Sequence, residues 1–261
     1  MTRTFFLPPQ RSYRYDYEVQ YQMIGDWCIV TQVRPHSDAE AKGVKPGAQI
    51  LTLNGYTPTR DTLGTIQYIF AALRPQPSLR LGLQDPSGAK RDAEINTKFH
   101  QKKLVTDLTG AAGASDIWNI IRDEQTEEHL MRARSAELGD QILVLKLPAF
   151  DFTSIEVGEM IAKARKHQAL IVDLRGNSGG SIETLRYLIG GVFDKEVKIA
   201  DRVGRKESKP EIAKPAREPF TGKIVVLVDN RSASASELFA RVMQIEKRGT
   251  VIGDHTSGSV M

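Results

Sequence analysis

Two rhythms of apolar residues run along the chain. In the first part, roughly Tyr17 to Phe99, short β-rich runs dominate: Trp27-Cys-Ile-Val-Thr-Gln-Val33, Gln49-Ile-Leu-Thr-Leu53, Leu79–Leu83 and Ala93–Thr97. Turn signals separate them. Proline at Pro35 stops the first strand, Asn54-Gly55 closes the second, and Asp85-Pro-Ser-Gly88 joins the last two as a hairpin. Ser37 to Lys42 reads as a short helix capped by Ser37 and closed by Gly43. Leu63, Ile66, Ile69, Phe70 and Leu73 recur at helical spacing and predict a helix over Asp61–Leu73.

The second part alternates strand and helix. His129–Leu138 and Gln141–Leu147 flank Gly139-Asp140 as a hairpin, and a helix is predicted over Ser154–His167. The apolar strand Ala169-Leu-Ile-Val-Asp173 then meets Gly176-Asn-Ser-Gly-Gly180, followed by a helix with Ile182, Leu185, Leu188, Ile189 and Val192 on one face. A second buried-type strand, Lys223–Val228, leads through Ser232-Ala-Ser-Ala-Ser236 into a helix reaching Lys247, and then to the strand Thr250–Gly253. This alternation predicts a mainly parallel sheet with helices packed on it, and ligands of such sheets gather at the carboxyl ends of the strands. Both unusual loops, 176–180 and 230–236, fall there. Between the two parts, the small-residue segment Thr109-Gly-Ala-Ala-Gly-Ala-Ser115 reads as a linker.

Length and composition narrow the classes. A chain of 261 residues accommodates two domains, and 40% hydrophobic with 26% charged residues is a globular balance. No apolar run reaches membrane-spanning length. The N-terminus, soon broken by Pro8-Pro9, does not read as a secretory signal. One cysteine, Cys28, excludes an internal disulfide and a cysteine-based zinc site. The net charge of +4 owes much to Lys195–Glu218, with eight basic and five acidic residues and no basic-aromatic motif, so nucleic acid is not an expected partner. The tract Val197 to Phe220, with Pro210, Pro215 and Pro219, reads as a flap, a substrate-facing loop or a surface insertion.

Chemistry concentrates in the two loops. Glycines in Leu174-Arg-Gly-Asn-Ser-Gly-Gly180 let backbone N–H groups face a negative oxygen, although a tight strand-to-helix turn explains the same pattern. In Asn230-Arg-Ser-Ala-Ser-Ala-Ser-Glu237 a serine stands at the positive end of a helix dipole, which favours the alkoxide and oxyanion of acyl transfer. The competing reading is a capping box, Ser234-x-x-Glu237. A hydroxyl with its following amide on one loop and an amide donor on the next is what acyl transfer needs.

Three motifs in order, Asp173-Leu-Arg-Gly-Asn-Ser-Gly-Gly180, Ser232-Ala-Ser-Ala-Ser-Glu-Leu-Phe-Ala240 and Val251-Ile-Gly-Asp-His-Thr-Ser-Gly258, resemble the carboxy-terminal processing (tail-specific) serine proteases, relatives of the tricorn protease core. The resemblance implies an α/β fold: a crotonase/ClpP-like serine protease core over 117–261, preceded by a mainly β PDZ-like domain over 17–100, with an N-terminal extension 1–16 and a linker 101–116. Ile29–Gly47 and Ile50–Gly55 look like the central strand, short helix and Asn-Gly turn of a PDZ domain, with Ala48 in place of a usual aspartate. It implies that Ser234 is the nucleophile, that the N–H groups of Ala235 and Gly179 receive the oxyanion, and that Ser232 and Ser236 are turn and helix residues. It implies peptide binding at Met23, Ile24, Gly25 and Trp27, in which a terminal carboxylate sits in a backbone nest; Asp26 beside it would repel that carboxylate. No cofactor or metal is implied. Partners are protein or peptide C-termini, an oligomer is compatible, and the compartment is extracytoplasmic.

One departure concerns the base. The processing branch carries a lysine 25 residues after the nucleophile, and that position here is Ser259, which cannot accept a proton as an amine does. The tricorn-like branch also lacks that lysine and is the nearer relative at this spot, but its histidine aligns with none of His36, His100, His129, His167 or His255. His255 lies closest to the site in sequence, and Lys146 is another candidate base. The chain stops just past the third motif, where the family's core continues, so a truncated chain is expected. The expected activity is hydrolysis of peptide bonds near protein C-termini through an acyl-enzyme on Ser234. The alternative is a catalytically silent peptide-binding scaffold, and a weaker one is acyl-CoA chemistry on the shared fold.

Overall fold

The computed structural model describes residues 13–101, 133–203 and 208–260. The chain divides into two units, Met1–Ile117 and Trp118–Met261. Residues 102–116 of the expected linker, residues 1–12 of the expected extension, and His129 lie outside the described residues.

The first unit holds β1 (Tyr13–Asp16), β2 (Val19–Ile24), β3 (Trp27–Val33), β4 (Gln49–Leu53), β5 (Ser78–Gln84), β6 (Lys90–Asn96) and β7 (Lys98–Gln101). Five of them form an antiparallel sheet in the order β2-β3-β4-β5-β6, and β1 pairs with β7. Two-residue alternation decides which side chains enter the core: Tyr21 and Met23 point in from β2 while Gln20 points out. They meet Val30, Ile50, Leu53, Leu79, Leu81 and Ile95 in one apolar cluster. The short helix α1 (Asp38–Ala41) starts where expected, because the Ser37 hydroxyl accepts the Glu40 N–H at 3.1 Å. Helix α2 (Leu63–Tyr68) runs on into a π-helical turn, Ile69–Leu73, and buries Leu63, Ile66 and Phe70.

The second unit contains β8 (Arg134–Leu138), β9 (Ile142–Lys146), α3 (Ser154–Ala164), β10 (Ala169–Asp173), α4 (Ile182–Gly190), β11 (Val197–Val203), β12 (Ser208–Ala213), β13 (Lys223–Val228), α5 (Ala235–Ile245) and β14 (Thr250–Gly253). Its sheet has the order β14-β13-β10-β9-β8, parallel from β14 to β9 with β8 antiparallel at one edge. Leu170, Val172 and Val226 on the strands pack with Leu185, Ile189, Phe239 and Met243 on the helices. Full burial of each such side chain contributes roughly 1.5–3 kcal/mol. A capping box opens α3: Thr153 Oγ1 accepts the Glu156 N–H, and Glu156 Oε2 accepts the Thr153 N–H.

Residues 197–203 and 208–213 of the tract expected to be a flap, loop or insertion are strands. They pair antiparallel, β11 with β12, and their inner residues Val197, Ile199 and Ala213 join the core of the unit. Because β10 and β13 are adjacent parallel strands, the loops that leave their carboxyl ends, 174–180 and 229–234, emerge side by side.

Candidate active site

Ser234 stands at the N-cap of α5 with φ 54° and ψ −117°. A residue with a Cβ enters that region at a cost of about 1–3 kcal/mol, so the surroundings must hold it there. It is a sharp, strained strand-to-helix turn of the kind that presents a nucleophilic serine, and Ser234 is half-buried, not enclosed. Its neighbours do the holding. Ser232 and Ser236 are fully buried. Ser232 Oγ donates to the Leu174 carbonyl at 2.8 Å and accepts the Asp229 N–H at 3.0 Å. Ser236 Oγ donates to the Asn177 carbonyl at 2.9 Å, and the Ala233 N–H reaches the same oxygen at 3.0 Å. These two serines thus stitch the turn to the glycine loop. The Glu237 N–H goes to the Ser234 carbonyl oxygen at 2.9 Å, so that amide does not depend on the Ser234 hydroxyl.

The glycine loop corrects one expectation. The Gly179 N–H is committed to Asn177 Oδ1 at 2.8 Å, so it does not face an oxyanion. Asn177 is fully buried and its Nδ2 donates to the Leu147 carbonyl at 2.9 Å. Gly179 matters through its missing side chain. Its φ is +100°, and a Cβ there would stand 2.7 Å from Ser234 Cβ and 2.8 Å from the Ala233 carbonyl oxygen. None of the hydrogen bonds among the described residues uses the N–H of Ala235 or of Gly180, the next residue along the loop.

Glu237, which the sequence offered only as half of a capping box, is the most connected side chain of the site. Oε2 accepts the N–H groups of Ser234 at 2.8 Å and Ser259 at 2.9 Å; Oε1 accepts Thr256 Oγ1 and the Gly258 N–H, each at 2.7 Å. Burial raises its pKa, but the hydroxyl of Thr256 and the three backbone amides outweigh that and hold it below the usual carboxylate range. One oxygen therefore takes amides from both 234 and 259, and the position where the resemblance puts the base lies against the Ser234 turn. That position offers only an exposed serine hydroxyl, paired with Ser257 Oγ at 2.7 Å.

Neither of the other candidate bases hydrogen-bonds Ser234. His255 is exposed, and its imidazole enters none of the described hydrogen bonds of the site. Lys146 is tied down: its ammonium donates to Asp173 Oδ1 at 3.3 Å and to the Arg175 carbonyl. It belongs to a charged cluster at the strand ends, in which Arg175 grips Asp173 through Nε at 2.9 Å and through a second nitrogen at 2.8 Å. Asp229 Oδ1 accepts the Gly176 N–H at 2.8 Å and ties the two loops together.

Asp173 is 7% exposed. Its burial raises the pKa, yet Arg175 and Lys146 prevail and keep the carboxyl below its ordinary value. A carboxylate whose folded pKa is depressed stabilises the fold fully above the unfolded value of about 3.9 and loses that contribution as pH falls through the folded value. Asp173→Asn is accordingly expected to lower stability at pH 7 by about 1–2 kcal/mol, since Arg175 and Lys146 stay partly solvated. The same variant should flatten the loss of stability below about pH 4. Urea titrations of both proteins across that range check this.

In the first unit, the Met23 side chain is 1% exposed and faces the core, so any peptide contact at this position is through its backbone on the edge strand β2. Gly25, at φ 59°, and Asp26 form the turn between β2 and β3. Ile24 and Trp27 flank that turn with exposed side chains. Strict alternation in Val19-Gln-Tyr-Gln-Met-Ile24 was the available signal that Met23 points inward. Burial pushes the Cys28 thiol up to about 12, which leaves no thiolate at neutral pH. Among the described residues no His/Cys/Asp/Glu cluster could hold a metal, and no helix is long and apolar enough to cross a membrane.

Residues 141–261 match Peptidase family S41, and the resemblance to tail-specific and carboxy-terminal processing proteases is thereby shown. The tail-specific protease of Haemophilus influenzae is 33% identical over 154 residues, which cover 56% of this chain and 22% of that protein. The carboxy-terminal processing protease CtpA of Bacillus subtilis is 26% identical over 239 residues, 90% of this chain and 44% of the relative. This chain thus spans less than half the length of either. Among solved structures, mature CPAF superposes with a TM-score of 0.63 at 14% identity, covering 95% of this chain and 70% of that one. The photosystem II D1 C-terminal processing protease gives a TM-score of 0.50 at 18% identity, covering 96% and 63%. Both are mixed α/β likenesses of fold.

Proposed function

We propose that the chain is the core of a serine endopeptidase that hydrolyses peptide bonds near protein C-termini. Residues 117–261 act as a crotonase/ClpP-like catalytic domain, and residues 17–100 as a PDZ-like domain that receives substrate. The observation that carries this reading is Ser234: a serine with positive φ at the mouth of a helix, wedged against a glycine that cannot bear a Cβ. Ser234 Oγ attacks the carbonyl carbon of the scissile bond. The oxyanion is received by the Ala235 N–H together with the Gly180 N–H, in place of the Gly179 N–H that Asn177 occupies. The proton given up by Ser234 Oγ passes to the leaving nitrogen as the C–N bond breaks, and water then adds to the ester, its OH staying on the acyl carbon as the new carboxyl group and its other proton returning to Ser234 Oγ.

Substrate is brought in along β2, an edge strand of its sheet, to which an extended C-terminal segment adds by main-chain hydrogen bonds. The reading includes an extracytoplasmic compartment, which rests on the family resemblance alone. Labelling with a fluorophosphonate is the test: wild type is expected to react and Ser234→Ala not at all. A second reading, a silent peptide-binding scaffold, has one observation in its favour, because position 259 offers a hydroxyl and Lys146 is held by Asp173. Wild type that stays unlabelled while binding C-terminal peptides would establish the scaffold instead.

A further inference from the structure

We propose that Glu237 is a positioning residue that holds the strained nucleophile turn and the 256–259 segment in one arrangement, an inference that rests on the serine-protease reading. A capping box requires one carboxylate oxygen on the N-cap amide, and Ser234 supplies that bond. Glu237 does more. Three further donors, Thr256 Oγ1 and the N–H groups of Gly258 and Ser259, come from a segment 19 to 22 residues away. Both oxygens are doubly used, so the carboxylate is saturated as an acceptor, and bonds to an ionised acceptor are the stronger kind. It also sits in the first turn of α5, where the helix dipole favours negative charge.

The consequence reaches the hydroxyl through the backbone. Ser234 presents Oγ from a conformation that a non-glycine residue avoids, and its own N–H is fixed by Oε2. Without that acceptor, Ser234 can relax toward ordinary helix-cap dihedrals, which re-aims Oγ. Position 259 would come loose at the same moment, because its amide hangs on the same oxygen. Glutamine cannot substitute: its single oxygen keeps two of the four bonds and sets an NH2 against the remaining donors.

The experiment compares wild type, Glu237→Gln and Glu237→Asp by fluorophosphonate labelling over a range of probe concentrations, with amide hydrogen exchange on the same proteins. Glu237→Gln is expected to lower the maximal labelling rate about 100-fold while the half-saturating probe concentration changes less than threefold. Exchange at Gly258 and Ser259 should accelerate while the last two turns of α5 stay protected. Glu237→Asp, which keeps the charge on a shorter arm, should fall between the two and serves if the glutamine variant does not fold. A folded Glu237→Gln protein that labels at the wild-type rate, or whose Gly258 and Ser259 amides exchange as in wild type, overturns the proposal. If wild type itself is not labelled, the protease reading fails, and unchanged exchange at 258 and 259 would then sink the holding role separately.

Discussion

Replacing Ser259 with lysine is expected to raise the rate at which Ser234 is acylated by about two to four orders of magnitude, the usual worth of a positioned general base. The argument is geometric. Residues 234 and 259 share Glu237 Oε2 through their backbone amides, so the two lie within two hydrogen-bond lengths of each other at the main chain. What position 259 lacks is a basic atom, since its hydroxyl is paired with Ser257. A lysine there brings an amine on a flexible stem to the mouth of α5. Only the neutral amine accepts a proton, so the gain should grow as pH rises and level off once the lysine has lost its charge. Ser259→Met, of similar length without the amine, separates chemistry from packing and should stay at the wild-type rate. Labelling rates from pH 6 to 10 for the three proteins decide it. Equal rates for the lysine and methionine variants would show that this position does not act on Ser234.

Much of this arrangement is legible in the sequence, and the rest is hidden for identifiable physical reasons. The strands Ala169–Asp173, Lys223–Val228 and Thr250–Gly253 end where the sequence placed them, because runs of β-branched and apolar residues between turn residues have one stable use in a covered parallel sheet. The β11–β12 pair went unread, since Lys198, Asp201, Arg202, Lys209, Pro210 and Glu211 hide two short strands that rest on the core through only a few inward residues. The turn at Ser234 was visible as a motif, whereas the hub role of Glu237 was not, because its extra donors arrive from a distant segment. The loss of the Gly179 amide had a local signal that went unused: an asparagine two residues before a glycine readily bonds that backbone N–H with its side chain. Two-residue alternation in β2 already tells that the Met23 side chain points inward, which leaves only its backbone to meet a peptide.

The same glycine yields the second large effect. Gly179→Ala asks for two things the site cannot give. At φ +100° an alanine is strained wherever it stands, and its Cβ would press on Ser234 Cβ at 2.7 Å and on the Ala233 carbonyl oxygen at 2.8 Å. Neither neighbour can yield cheaply. Ala233 is fixed by its N–H on the Asn177 carbonyl, and Ser234 by its own N–H on Glu237. Backbone strain and overpacking together are expected to cost about 2–5 kcal/mol of stability. The labelling rate should fall by more than that loss explains, because the clash acts on the Cβ that carries the Ser234 hydroxyl; about 100-fold is expected for a misplacement of this size. Gly176→Ala is the matched control. Its φ of +73° carries comparable backbone strain, but nothing lies within 4 Å of the added Cβ. It should therefore lose stability while its folded fraction labels at close to the wild-type rate. Urea denaturation gives the first quantity and labelling under conditions where each variant is folded gives the second. If Gly179→Ala labels as fast as Gly176→Ala, the contact between glycine loop and serine turn does not set the position of the hydroxyl.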